Sequence, residues 1–397
     1  MTLSDFDDIR PFTEGEMKPA FESMLADRQF DKILGGMIPL PKGLRNGLLR
    51  MMFKGIKTPL DFQKRFMKPL VYYVLHKAST GYSFVFPKSL DRNGNYTFMS
   101  NHRDIVLDSA FLDTFLLKDG FSTTVEIAIG NNLLIYPWIK TLVKMNKSFV
   151  VNRGLTPKEM LKSSIHMSQY IHFAINEKHE NIWIAQREGR AKDSDDRTQE
   201  AVLKMLAMGG EGENFADRLR DLNIIPLTIS YEYDPCDYLK AKEFQLKRDN
   251  PAYKKTKQDD LDNMKTGIFG YKGKVVYRCG TPVNTWIDEL KDLPKNDFFK
   301  ELSRRMDQEI HAGYELWPTN YLAHDMLNGN MKATEQYLGD IDNLPEIKAA
   351  FENYLKEQIA KIDIPNKDEA FLLNSILTMY ANPLRNKLHL TSTSTNE

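Results

Sequence analysis

The chain has 397 residues, and its 54 lysines and arginines balance 54 aspartates and glutamates, so the formal net charge is zero. No global field draws nucleic acid, and an anionic partner has to be met by a local basic cluster. Only Cys236 and Cys279 are present, which excludes a disulfide framework and points to a reducing compartment; with eight scattered histidines they offer no metal-site spacing.

In chain order, residues 1–90 read as helical. The first eleven are acidic and polar, unlike a secretory signal. Pro39-Leu40-Pro41 breaks a first helical stretch. Residues 44–57 then set Leu44, Leu48, Met51, Met52 and Ile56 near one face and Arg45, Arg50, Lys54 and Lys57 largely elsewhere, a pattern that suits an anionic membrane interface as well as an ordinary surface helix. A helix over 59–76 carries Phe62, Phe66, Leu70 and Tyr73. Nowhere does an apolar run reach the roughly 18 to 20 residues of a membrane span.

From 91 to 325 the pattern alternates. Strands are expected at 96–99, 124–129, 148–151, 181–185, 224–231 and 275–278, with helices at 105–115, 136–145, 157–176, 198–208 and 298–313. Such alternation predicts an α/β domain with a largely parallel central sheet flanked by helices, its functional residues gathered beyond the strand ends. The highly charged stretch 240–265 reads as an exposed insertion or helix, and 267–274 as a glycine-punctuated turn. Residues 326–397 read as a helical C-terminal region whose tail, 391–397, is expected to be disordered.

His102 stands at a strand-to-helix corner, Met99-Ser100-Asn101-His102-Arg103-Asp104, with Asp108 four residues beyond Asp104. An imidazole followed within two turns by an acid is the minimal kit for a general base, the acid fixing the ring tautomer. Three cation-bearing segments follow other strands or turns: Val151-Asn152-Arg153, Arg187-Glu188-Gly189-Arg190-Ala191-Lys192, and the turn with Lys272 and Lys274. Arginine's planar fork and lysine's point charge suit phosphate, and a glycine among them lets backbone N–H groups approach an anion.

The succession Asn-His-Arg…Asp, Val-Val-Asn-Arg, Arg-Glu-Gly-Arg and Ile-Pro-Leu-Thr-Ile-Ser-Tyr-Glu resembles the four blocks of the glycerolipid acyltransferases, the superfamily of glycerol-3-phosphate and 1-acylglycerol-3-phosphate acyltransferases. The stretch 254–282 is similar to the glycerol-3-phosphate branch. The resemblance implies an acyltransferase of phospholipid biosynthesis with that superfamily's fold, working at the cytoplasmic face of the cell membrane as a peripheral protein. Its acyl donor would be acyl-carrier protein or coenzyme A thioester, its acceptor a phosphorylated glycerol, with no other cofactor and no metal. His102 would be the base, with Asp108 or Asp104 its partner. Arg153, Arg187, Glu188, Gly189, Arg190, Lys192 and Lys272 would form the acceptor phosphate site. Two departures stand out. The usual spacing of four residues between His and Asp leads here to Leu107, one place short of Asp108, and Glu188-Gly189-Arg190 is one residue tighter than Glu-Gly-x-Arg. The alternatives are an acyltransferase for a lyso-aminolipid, or a non-catalytic lipid-binding protein on the same scaffold.

Overall fold

The computed structural model describes residues 1–88, 90–339 and 343–394. Among them, seven strands form one sheet: β1 (Ser79–Val85), β2 (Thr97–Ser100), β3 (Val125–Gly130), β4 (Ser148–Val151), β5 (Asn181–Ala185), β6 (Ile224–Tyr231) and β7 (Gly273–Cys279), in the order β1-β7-β6-β2-β5-β3-β4. Every pairing is parallel except β6 with β7. The protein is thus mixed α/β with a mostly parallel sheet flanked by helices.

Side chains alternate across the pleat and meet a separate core on each face. On one side Met99, Phe149, Ile182, Ile184 and Ile224 lie against the helices Pro157–Asn176 and Lys295–Ala312. On the other, Phe98, Val125, Trp183, Ile225 and Tyr277 meet Lys68–Ala78 and Leu107–Lys118. Burial on both faces is why β2, β5 and β6 read as continuous apolar runs.

The N-terminal stretch is not helical throughout, because Ser79–Val85 is a strand at the edge of the sheet, registered with β7 through Tyr82↔Val275. Tyr82 and Phe84 turn to the second core, but the opposite face, with Ser83 and Val85 exposed, is solvated and leaves the strand little apolar signal. The charged stretch 240–265, expected as an exposed insertion or helix, falls on two helices, Asp237–Asp249 and Lys257–Phe269. The C-terminal helix Glu369–Ser394 runs past the start of the expected disordered tail; residues 395–397 of that tail lie outside those described. This helix joins Pro318–Asn328 and Leu344–Ala360 in a third core. It also meets the loop after β5, where Asn382 Nδ2 donates to Asp193 O at 2.8 Å and Arg197 Nη2 to Asn386 Oδ1 at 3.0 Å. At the other end of the chain Glu14–Ala26, Lys42–Phe53 and Pro137–Met145 share a fourth core. Among the described residues no helix is long and apolar enough to cross a membrane.

Candidate active site

β2 is buried along its whole length, and the chain leaves it through Asn101. The Asn101 side chain continues the ladder that the backbone has left: its Oδ1 accepts from the Ile229 N–H at 2.7 Å and its Nδ2 donates to Ile229 O at 2.9 Å. With the corner pinned to β6, His102 projects from the strand end, and its Nδ1 lies 2.7 Å from Asp108 Oδ2. The carboxylate of Asp108 is fully buried and well supplied with donors. Oδ2 also accepts the N–H groups of Arg103 at 2.6 Å and Asp104 at 3.1 Å, and Oδ1 accepts the Tyr231 hydroxyl at 3.0 Å. Asp108 is the second residue of Leu107–Lys118, where the helix dipole favours an anion. Trp183 stands edge-on to the imidazole, with ring centroids 5.5 Å apart, and is held by its indole N–H donating to Ser100 Oγ at 3.0 Å.

Of the two acids considered as the partner of His102, Asp108 meets the ring and Asp104 does not. Asp104 Oδ1 accepts the N–H groups of Val106 and Leu107, both at 2.8 Å, and so caps the helix that carries Asp108. Burial pushes the Asp104 carboxyl up, reinforced by the charge of Asp108 and opposed by Lys272 and the two amides.

β2 and β5 are parallel neighbours, with Ser100 opposite Ala185, so His102 and Arg187 leave the sheet at the same edge. Arg153 follows β4, and β3 lies between β4 and β5. Its guanidinium spans that gap, with Nη1 3.1 Å from Glu188 Oε1. It passes over Gly130 at the end of β3, where a β-carbon would sit 2.9 Å from Nε. The Arg153 N–H donates to Asn131 Oδ1 at 3.1 Å. Gly130 and Asn131 escaped sequence reasoning, since neither carries a charge; an unexplained glycine at a strand end was the available signal.

Arg187 is half-buried, and its Nε has no hydrogen-bond partner among the described residues. Gly189 turns the loop with φ +70°, a conformation in which side-chain-bearing residues are strained. Arg190 donates from Nη2 to Asn263 Oδ1 at 3.0 Å, and its Nη1 has no partner among the described residues. Asn263 belongs to Lys257–Phe269, and one turn later on that helix Gly267 lies so close to Asp104 that a β-carbon would collide with the carboxylate. A single helix therefore brings Arg190 to the neighbourhood of the His102 corner.

Lys272 does not join these cations. It is fully buried, and its Nζ donates to Gly267 O at 2.6 Å, Gly270 O at 2.9 Å and Ile268 O at 3.4 Å. The ammonium closes the C-terminal end of Lys257–Phe269, where its donors are directed at carbonyls of that helix and turn. Lys192 is paired with Glu243, a carboxylate shared with Lys247 at 2.8 Å and Lys255 at 3.0 Å. Among the described residues no group of three or more His, Cys, Asp or Glu is placed to hold a metal.

No family model matches the chain, and no curated protein matches it. A solved structure, the 1-acyl-sn-glycerophosphate (LPA) acyltransferase PlsC from Thermotoga maritima, is similar with a TM-score of 0.38 and 12% sequence identity, over 68% of this chain and 90% of that one.

Proposed function

We propose that the protein is an acyltransferase of glycerolipid synthesis, moving a fatty acyl group from a thioester of acyl-carrier protein or coenzyme A to a hydroxyl of glycerol-3-phosphate or 1-acylglycerol-3-phosphate. The observation that carries this reading is the 2.7 Å contact between His102 Nδ1 and a buried Asp108 that has three other donors. A carboxylate accepting from Nδ1–H leaves the lone pair on Nε2, the arrangement of a general base.

In the proposed reaction, His102 Nε2 takes the proton of the acceptor hydroxyl as its oxygen attacks the thioester carbonyl. Asp108 stabilises the imidazolium that forms. The tetrahedral intermediate collapses with loss of the C–S bond, and the imidazolium returns its proton to the departing thiolate. No acyl-enzyme is required. Arg153, Arg187 and Arg190 hold the acceptor's phosphate, with Glu188 occupying one face of Arg153 until the substrate arrives.

The proposal places the protein on the cytoplasmic face of the membrane through Lys42–Phe53. Leu44, Leu48, Met51 and Met52 are exposed there, while Leu49 and Phe53 point into the core. Outward-facing apolar residues on a basic helix are the composition of an interfacial contact.

The test is a radiolabelled acyl-transfer assay of the purified protein with vesicles, over a panel of phosphorylated glycerols and lyso-aminolipids and both thioester donors. Transfer to a phosphorylated glycerol is expected. Arg153→Ala and Arg190→Ala should raise that acceptor's KM by about one to two decades and spare the donor's, since a charge-assisted hydrogen bond is worth roughly 1.5 to 3 kcal/mol. Transfer to the aminolipids alone would overturn the acceptor assignment.

A further inference from the structure

We infer that the buried Arg103–Asp196 ion pair is a positioning device that locks the corner bearing His102 to the loop bearing Arg187 and Arg190. Its kinetic consequence rests on the acyl-transfer reading; the mechanical coupling does not.

Arg103 works in two directions. Its backbone N–H donates to Asp108 Oδ2 at 2.6 Å, inside the acid–histidine pair. Its side chain, only 6% exposed, runs to Asp196, where Nη2 meets Oδ2 at 2.7 Å. Asp196 is 1% exposed and lies six residues after Arg190 in the loop between β5 and the helix Glu200–Leu206. The same Oδ2 accepts Asn101 Nδ2 at 3.2 Å and the Tyr314 hydroxyl at 2.5 Å, and the Asp196 carbonyl lies 2.7 Å from His311 Nε2. One carboxylate thus gathers both residues that flank His102 and a tyrosine following Lys295–Ala312.

Stability alone is a poor reason for such a pair. Desolvating two charges costs several kcal/mol, and well-packed apolar residues of similar size often serve as well. Here the pair is also incompletely satisfied: Arg103 Nη1 and Asp196 Oδ1 have no hydrogen-bond partner among the described residues. Arg103 lines a small cavity of mixed character with Tyr231, Asp234, Tyr314, Trp317 and Met379. Tyr231, in that wall, is the residue that donates to Asp108 Oδ1. The group therefore sits where it registers the base against the loop, and a shift of either side would be felt by the other.

The experiment is hydrogen–deuterium exchange on the full chain, paired with steady-state kinetics on the same samples, for wild type, Asp196→Asn, Arg103→Gln and Arg103→Lys. Tyr314→Phe, which removes one hydroxyl from the same carboxylate, covers the case in which the charge variants fail to fold. Asp196→Asn should speed exchange about tenfold in both 101–106 and 187–192 and leave β6 unchanged, the size expected from losing one charge-assisted bond. Asp196→Asn and Arg103→Gln should each lower kcat and raise the acceptor KM together, each about tenfold, and Arg103→Lys should keep part of what Arg103→Gln loses. Exchange that changes only in the segment bearing the substitution, with kcat and KM within twofold of wild type, would overturn the coupling. If both segments respond while the wild-type protein transfers no acyl group, the coupling stands and the acyl-transfer reading is what fails.

Discussion

At the scale of single residues, Asp113 shows how burial sets a charge. Its Oδ1 accepts the Val125 N–H at 2.9 Å and its Oδ2 the Gln63 amide at 2.8 Å, and burial raises its pKa from 3.8 to about 7 despite the amide and nearby Lys147. A carboxyl that resists ionising in the folded state favours folding while protonated and opposes it once the unfolded chain has ionised. The penalty is absent below the unfolded value, grows between about 4 and 7, and is constant above that, reaching roughly 4 kcal/mol. The unfolding free energy of wild type should therefore fall more between pH 5 and pH 8 than that of Asp113→Asn, measured by urea titration at each pH. Parallel pH profiles would mean that Asp113 ionises freely where it lies. Residue chemistry was unevenly legible in the sequence. His102 and the arginines announce themselves by type and order. The choice between Asp108 and Asp104 does not, because it depends on where the helix begins: with its start at Leu107, Asp104 accepts the amides that open it and Asp108 turns toward the ring.

At the scale of elements, β4, β5 and β6 and the helix Pro157–Asn176 have the bounds their apolar patterns predict. β1 was hidden because an edge strand with a solvated face carries half the signal of a buried one. Lys272 is ambiguous for a related reason: a lysine among glycines suits an anion site by type, while the structure sets the carbonyls of Gly267, Ile268 and Gly270 around its ammonium. That assignment is checked by Lys272→Met, which keeps the stem and removes the ammonium. Thermal or denaturant unfolding should show a loss of about 2 to 4 kcal/mol, the cost of leaving buried carbonyls without a charged donor. The acceptor's KM should stay within severalfold of wild type in the folded protein. A stable variant with a selectively raised acceptor KM would restore Lys272 to the phosphate site.

At the scale of the whole molecule, the sheet order places the ends of β2, β5, β3 and β4 side by side, so His102, Arg187, Asn131 and Arg153, far from consecutive in sequence, leave the sheet along one edge. The alternating pattern made the α/β class readable. The strand order was not, because it is decided by which apolar faces cover which. The outward apolar face of Lys42–Phe53 belongs to this scale too. Arg45 is buried against Asp31 and Arg50 is paired with Glu22, so the apolar residues carry more of the expected membrane contact than the arginines do. Leu44→Glu, Met51→Glu and Met52→Glu together should abolish sedimentation with anionic vesicles and leave folding intact, since all three side chains are exposed. Unchanged sedimentation would make this an ordinary surface helix. The central claim is that His102, oriented by Asp108, is a general base for acyl transfer. It is tested most directly by the turnover of His102→Ala against wild type in the acyl-transfer assay, with circular dichroism to verify the fold. Turnover should fall by about two to four decades while the spectrum is unchanged. A folded His102→Ala that transfers acyl groups at the wild-type rate would contradict it.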